Sequence, residues 1–115
     1  MRIGLDVGST TLKCVALDEK GNIVYSDYQR HRARIRERMQ TMLESAMEAT
    51  GQRRARIALS GSAGMGLAER MGIPFVQEVY ATRLALTHLL PGTDVAIELG
   101  GEDAKIIYFD NGIEQ

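Results

Sequence analysis

Asp6 stands near the end of a short apolar run, Ile3 to Val7, and is followed by Gly8, Ser9, Thr10 and Thr11, with Lys13 just beyond. A turn of these residue types points backbone N–H groups and hydroxyls into one concavity, which suits a phosphate. Glycine lets the backbone come close to such a ligand. A carboxylate cannot sit on a phosphate directly, because both are anionic. It can hold Mg²⁺ through water, and the metal then bridges to the phosphate oxygens. Asp6 fits the water-mediated metal ligand, Gly8 to Thr11 the cradle, and Lys13 a point charge within reach of a phosphate. The plainer reading is a β-hairpin with a polar turn and one exposed aspartate. A second copy of the design favours the chemical reading. Val95 to Leu99 is another apolar run with a carboxylate, Glu98, near its end. It is followed by Gly100 and Gly101, and a second strand carries Lys105 as the first carries Lys13.

These residues need elements to hold them. Leu12 to Leu17 alternates, with Leu12, Cys14 and Ala16 on one face and Lys13, Val15 and Leu17 on the other. The tight Gly8-Ser9-Thr10 link implies that this strand pairs antiparallel with Ile3 to Val7. Asp18 to Asn22 reads as a hairpin connection, and Ile23 to Tyr28 as a third strand. The period then becomes helical: Ile35, Met39, Met42, Leu43, Ala46 and Ala49 form one apolar stripe, stopped by Gly51. Arg56 to Leu59 reads as a buried strand, Ser60 to Gly64 as a loop, and Met65 to Met71 as a short helix ending at Gly72. Ile73 to Val76 reads as a further short strand and Glu78 to Leu90 as a helix closed by Pro91-Gly92. Val95 to Leu99 and Ala104 to Phe109 complete the set as strands, and Asp110-Asn111-Gly112 starts another turn.

Composition sets the bounds. The 115 residues are 44% hydrophobic and 25% charged, enough apolar surface for one modest core and too ordinary for disorder. No apolar run reaches the ~18 residues of a membrane span, and the opening Met1-Arg2-Ile3-Gly4 does not read as a signal peptide. One cysteine, Cys14, excludes an intrachain disulfide. A cytoplasmic protein is expected. The net charge of −1 gives no reason to expect a polyanion partner. It hides an asymmetry, since residues 29–56 hold eight arginines and three glutamates. Arg30, Arg32, Arg34, Arg36 and Arg38 fall on every second residue, so they do not share a helix face. No aromatics interleave them for stacking on bases. A solvated loop and helix start is expected there, and no nucleic acid. His31 and His88 have no metal-spaced partners and read as structural.

The two hairpin motifs carry a family resemblance. Residues 3–13, Ile-Gly-Leu-Asp-Val-Gly-Ser-Thr-Thr-Leu-Lys, resemble the first phosphate motif of the actin, sugar-kinase and heat-shock-chaperone ATPase superfamily. Residues 98–105, Glu-Leu-Gly-Gly-Glu-Asp-Ala-Lys, resemble the second. Together they are similar to the activators of 2-hydroxyacyl-CoA dehydratases and the ATPase subunits of benzoyl-CoA reductases, the BadF/BadG/BcrA/BcrD type. Ser60 to Gly64 and Glu78 to Ala81 sit where that family has its loop and its acidic helix start.

The resemblance implies an α/β fold of the ribonuclease H-like, actin-like ATPase kind, with a mixed sheet and flanking helices. It implies ATP and Mg²⁺ as cofactors, with Asp6 the metal ligand through water. Asp6, Glu78 and Glu98 would be the catalytic set. Gly8, Ser9, Thr10, Thr11 and Lys13 would bind the nucleotide on one side, and Gly100, Gly101, Glu102, Asp103 and Lys105 on the other. The superfamily usually has Asp where this chain has Glu98. Family members also hold a [4Fe–4S] cluster between two subunits through cysteines beyond the second motif, which this chain does not contain. The chain is therefore read as an N-terminal fragment, 1–93 a first half-domain and 94–115 the opening hairpin of a second. Its parent would couple ATP hydrolysis to electron transfer to a dehydratase or reductase partner. Alternatives are a sugar-kinase-like phosphotransferase, a resolvase-like nuclease and a non-catalytic interaction module. An isolated hairpin leaves apolar faces and strand edges open. Residues 94–109 are therefore expected to pair with a second copy in a homodimer.

Overall fold

The computed structural model describes residues 1–99, 104–110 and 113–114. It contains two compact units, Met1–Phe75 and Val76–Gln115. In the first, strands β1 (Arg2–Val7), β2 (Thr11–Leu17) and β3 (Ile23–Arg30) are followed by helix α1 (Ile35–Thr50), strand β4 (Arg56–Ser60) and helix α2 (Gly64–Met71). The sheet order is β3-β2-β1-β4. The pairs β1–β2 and β2–β3 are antiparallel, while β1–β4 is parallel.

The alternation in the sequence decides which face is covered. Ile3, Leu5 and Val7 of β1 and Leu12, Cys14 and Ala16 of β2 point to one side and are buried, as is Leu59 of β4. The α1 stripe of Met39, Met42 and Ala46 covers that side together with Leu67 and Ala68 of α2. Each fully buried Leu, Ile, Val or Met side chain here contributes roughly 1.5–3 kcal/mol by leaving water. The opposite face carries Gly4, Asp6, Lys13, Val15, Ser26 and Tyr28. The candidate side chains Asp6 and Lys13 therefore stand on the sheet face opposite α1 and α2, with Asp6 at the carboxyl end of β1 beside that of β4.

Three differences from the sequence reading exceed one residue at an element's end. β3 runs on to Arg30 because Gln29 and Arg30 still find partners in Leu12 and Thr11. Ile73 to Val76 is not a strand. Only Phe75 bridges to Leu59, and Leu59 N–H reaches Pro74 C=O at 2.9 Å. Pro74 has no N–H to offer a ladder, which limits that segment to a single bridge. A short strand, Ile113–Glu114, is added to the set, while Asn111 and Gly112 of the turn expected at Asp110-Asn111-Gly112 lie outside the described residues. The arginine-rich stretch holds the expected loop and helix start but begins as the end of β3, with Arg30, Arg32, Arg34 and Arg36 exposed.

The second unit holds helix α3 (Glu78–Leu89) and strands β5 (Val95–Leu99), β6 (Ala104–Asp110) and β7 (Ile113–Glu114), in sheet order β5-β6-β7. Gln77 caps α3 by accepting the Tyr80 N–H at 3.0 Å. Ile107 is buried. Val95, Ile97, Ile106 and Tyr108, which face one another across β5 and β6, are all exposed, as is Leu99.

Candidate phosphate and metal site

Asp6 and Lys13 are cross-strand partners on β1 and β2. Lys13 Nζ lies 3.5 Å from Asp6 Oδ2, both side chains being nearly half exposed. The ammonium also sits over the Tyr28 ring, 5.5 Å from its centre. An ion pair this exposed is worth at most about 1 kcal/mol. It holds the carboxylate at the strand end yet yields easily to a better cation. Beyond it Val7 pairs with Leu12, and Gly8 N–H closes the turn on Thr11 C=O at 2.9 Å. Ser9 and Thr10 are exposed at its tip.

A second loop walls the site. β4 ends at Ser60, directly beside Asp6 in the parallel register. Gly61 then turns with φ +99°, and a Cβ there would lie nearer to the Val7 carbonyl and to Asp6 Oδ1 than any real Cβ comes. Only glycine satisfies both the angle and the contact. Ala63 N–H donates to Val7 C=O at 2.9 Å, and Gly64 N–H to Gly61 C=O at 3.0 Å, which ties the loop to the end of β1. The sequence marked Ser60 to Gly64 only as a loop. Its contact with Asp6 follows from the β1–β4 pairing.

A third support was not foreseen. His31 is 5% exposed. Its Nε2 lies 2.9 Å from the Gly8 carbonyl oxygen, and its Nδ1 accepts the Ala33 N–H at 3.1 Å. Accepting at Nδ1 places the ring proton on Nε2, which donates to Gly8. The His31 backbone N–H donates to Thr10 C=O at 3.1 Å, and Arg34 N–H returns to His31 C=O at 2.8 Å. The two residues between, Arg32 and Ala33, have φ of 49° and 62°. Both central residues of this tight turn are thus left-handed without being glycine, at roughly 1–2 kcal/mol each. The sequence reading of His31 as structural holds. What it buttresses is the turn at the site.

The remaining site residues lie in the second unit. Glu78 opens α3 and is half-buried. Glu98 and Lys105 are register partners on β5 and β6, as Asp6 and Lys13 are on β1 and β2. Leu99 pairs with Ala104 as Val7 pairs with Leu12, so each hairpin is joined by four residues. Gly100, Gly101, Glu102 and Asp103 lie outside the described residues. The structure thus brings Asp6, Lys13 and the Gly8 to Thr11 turn together, and adds Gly61 and His31 to them.

One carboxylate beside a turn of N–H groups and hydroxyls fits a metal held through water and bridged to phosphate. It does not fit a metal caged by protein ligands, and among the described residues no group of three His, Cys, Asp or Glu side chains could hold one. An iron–sulfur cluster does not fit the described residues either. Cys14 is buried at mid-strand, and its burial, with a lesser effect from the nearby Asp27 charge, pushes the thiol up to about 11. A cavity of about 740 Å³ lined by Met1, Asp18, Asn22 and Thr50 lies at the other end of the strands, away from Asp6.

A mixed sheet flanked by helices is the fold of the actin-like ATPases and sugar kinases. The sequence pattern of the BadF/BadG/BcrA/BcrD ATPase family matches residues 3–115, and the chain belongs to that family. Among solved structures, the activator of 2-hydroxyisocaproyl-CoA dehydratase from Clostridium difficile, with bound ADPNP, is 25% identical. Its TM-score is 0.74, over 96% of this chain and 41% of that one. Component A of (R)-2-hydroxyglutaryl-CoA dehydratase from Acidaminococcus fermentans is 22% identical, with a TM-score of 0.82 over 98% of this chain and 44% of that one. A ROK family glucokinase from Streptomyces griseus, in complex with glucose and AMPPNP, is 17% identical, with a TM-score of 0.63 over 99% and 46%. The chain thus spans less than half the length of these relatives. No curated protein sequence matches it.

Proposed function

We propose that this chain supplies the phosphate grips of an ATP site in an ATPase that activates a 2-hydroxyacyl-CoA dehydratase-like partner. The observation that carries this reading is Asp6, held by Lys13 at the mouth of the Gly8 to Thr11 turn with Gly61 against its carboxylate. Family membership and the ADPNP-bound relative support ATP as the ligand.

In this reading Gly8, Ser9, Thr10 and Thr11 bind phosphate oxygens, and Lys13 neutralises charge beside them. Asp6 orients the water shell of Mg²⁺, which would supply charge neutralisation on the phosphates. The hairpin of Glu98, Gly100, Gly101, Glu102, Asp103 and Lys105 grips the phosphates from the second half-domain. Glu98 reaches one methylene further than the usual aspartate. Glu78 orients the attacking water or the metal shell. ATP hydrolysis would drive a conformational change that passes an electron to the partner in the cytoplasm. The [4Fe–4S] cluster of such an activator would be held by residues outside this chain. Half-domains of 1–93 and 94–115 and a homodimer through 94–109 belong to the same reading.

A sugar-kinase-like phosphotransferase is the second reading, favoured by the glucokinase likeness. Calorimetry of a full-length family protein containing this sequence decides between them. Mg·ATP turnover without a sugar, raised by a dehydratase partner, supports the activator. Turnover that requires a hexose supports the kinase. For the 115-residue chain alone, no measurable turnover is expected, and Mg·ATP binding weaker than about 0.1 mM. Micromolar affinity would contradict a site shared between two half-domains.

A further inference from the structure

We infer that the His31 side chain is a positioning residue of the nucleotide site, a clamp that sets the orientation of the Gly8–Ser9 peptide. The inference rests on the proposed phosphate reading of the turn and names a residue outside its ligand set.

A trans peptide sends its N–H opposite to its C=O. With the Gly8 carbonyl held by His31 Nε2 at 2.9 Å, the Ser9 N–H is directed away from His31, and Ser9 itself is exposed. The His31 backbone N–H does the same for the Thr10–Thr11 peptide by holding the Thr10 carbonyl at 3.1 Å. Any residue but proline at position 31 supplies the second bond, while the first needs a side-chain donor at the reach of Nε2. A free Gly8–Ser9 peptide could rotate and offer its carbonyl oxygen to the site, and an oxygen repels phosphate where an N–H attracts it.

The clamp is itself braced. Ala33 N–H donates to Nδ1 at 3.1 Å, which fixes both the ring's plane and its tautomer. That brace exists because Arg32 and Ala33 adopt left-handed backbone, folding residue 33 back over the ring. Two non-glycine residues in this conformation are tolerated only where the surroundings over-determine them. Here the bonds to Gly8, Thr10 and Ala33 converge on one residue, which is 5% exposed.

Two conservative variants separate clamp from brace. His31→Gln keeps a donor at the reach of Nε2 and loses the acceptor for Ala33. His31→Asn keeps a short-range acceptor for Ala33, as asparagine does in turns, and loses the donor for Gly8. The experiment uses the 115-residue chain. Nitrogen-detected histidine spectra are expected to show the Nε2–H tautomer. The Gly8 carbonyl-carbon resonance, and the Ser9 amide shift on titration with Mg·ATP, are then followed in each variant. Affinity is expected to stay within about threefold of wild type in His31→Gln and to fall about tenfold or more in His31→Asn. The thermal midpoint should follow the opposite order. Equal affinities in two folded variants, or an Nδ1–H tautomer in the wild type, would overturn the clamp. If the 115-residue chain shows no measurable Mg·ATP binding, which a shared site allows, the affinities are read in a full-length family protein containing this sequence, and no binding there sinks the nucleotide reading. The clamp is also decided in the free chain, by whether the Gly8 carbonyl-carbon resonance shifts in His31→Asn and stays near wild type in His31→Gln.

Discussion

Asp6 and Lys13 face each other across the first two strands with 3.5 Å between carboxylate oxygen and ammonium nitrogen, at the last pair but one before the turn. Because the pair is nearly half exposed, it adds little to stability. Replacing Asp6 by Asn should therefore leave the unfolding free energy within about 1 kcal/mol of wild type. In a full-length family protein it should abolish Mg²⁺-dependent ATP turnover. Circular dichroism melts and a phosphate-release assay check the two halves. Retained turnover in a folded variant would remove Asp6 from the metal site.

Gly61 offers a sharper structural test. Gly61→Ala must relieve both a φ of +99° and overlap with Val7 C=O and Asp6 Oδ1. Moving that loop should cost at least about 2 kcal/mol. It should also displace the Asp6 carboxylate, so stability and nucleotide affinity fall together. Urea denaturation and calorimetry on the same sample measure this. An unchanged midpoint would mean that the loop does not rest on the end of β1.

Cys14 gives the pH dependence. Burial first, and the Asp27 charge second, raise its folded-state value from 9.0 to about 11. Below pH 9 the thiol is protonated whether the chain is folded or not. Between about 9 and 11 only the unfolded chain ionises, so stability falls as pH rises through that window, by on the order of 2 kcal/mol. Cys14→Ser should flatten the fall. Reaction with an aromatic disulfide reagent at pH 8 should proceed at the rate of opening, not at the rate of an exposed thiol.

The β5–β6 hairpin presents Val95, Ile97, Leu99, Ile106 and Tyr108 to solvent. If a second copy covers this face, light scattering should give at least twice 12.7 kDa. Cleavage after Gly92 should return a monomer. A monomeric chain at millimolar concentration with the hairpin still protected from amide exchange would rule the pairing out.

Local patterns were legible in the sequence. The alternation in Leu12 to Leu17 gave the buried face, and Gly51 marked the end of α1, where its φ is 71°. The four-residue turn between carboxylate and lysine could be read from residue types alone. Contacts that cross the fold were not legible. Gly61 meets Asp6 because β4 lies parallel to β1, a pairing made across α1 and two intervening strands. His31 meets Gly8 because β3 runs two residues further than its apolar pattern, which carries the histidine to the turn. No spacing rule links residues 8 and 31. Pro74 shows a lesser failure, where an apolar run was read as a strand although one of its members cannot donate to a ladder.

The matched register of the two hairpins has a further consequence. Asp6 with Lys13 and Glu98 with Lys105 mark the same positions on a repeated backbone, each closed by four residues. A triphosphate chain, however, has a direction, with a nucleoside at one end only. On the proposed reading, a repeated scaffold cannot by itself tell one end from the other. Within this chain the connecting residues differ: Gly-Ser-Thr-Thr at 8–11, Gly-Gly-Glu-Asp at 100–103. The hydroxyl-rich and the acid-rich connection would then act as the head and tail of the grip. Grafting one tetrapeptide onto both hairpins would erase that difference between them.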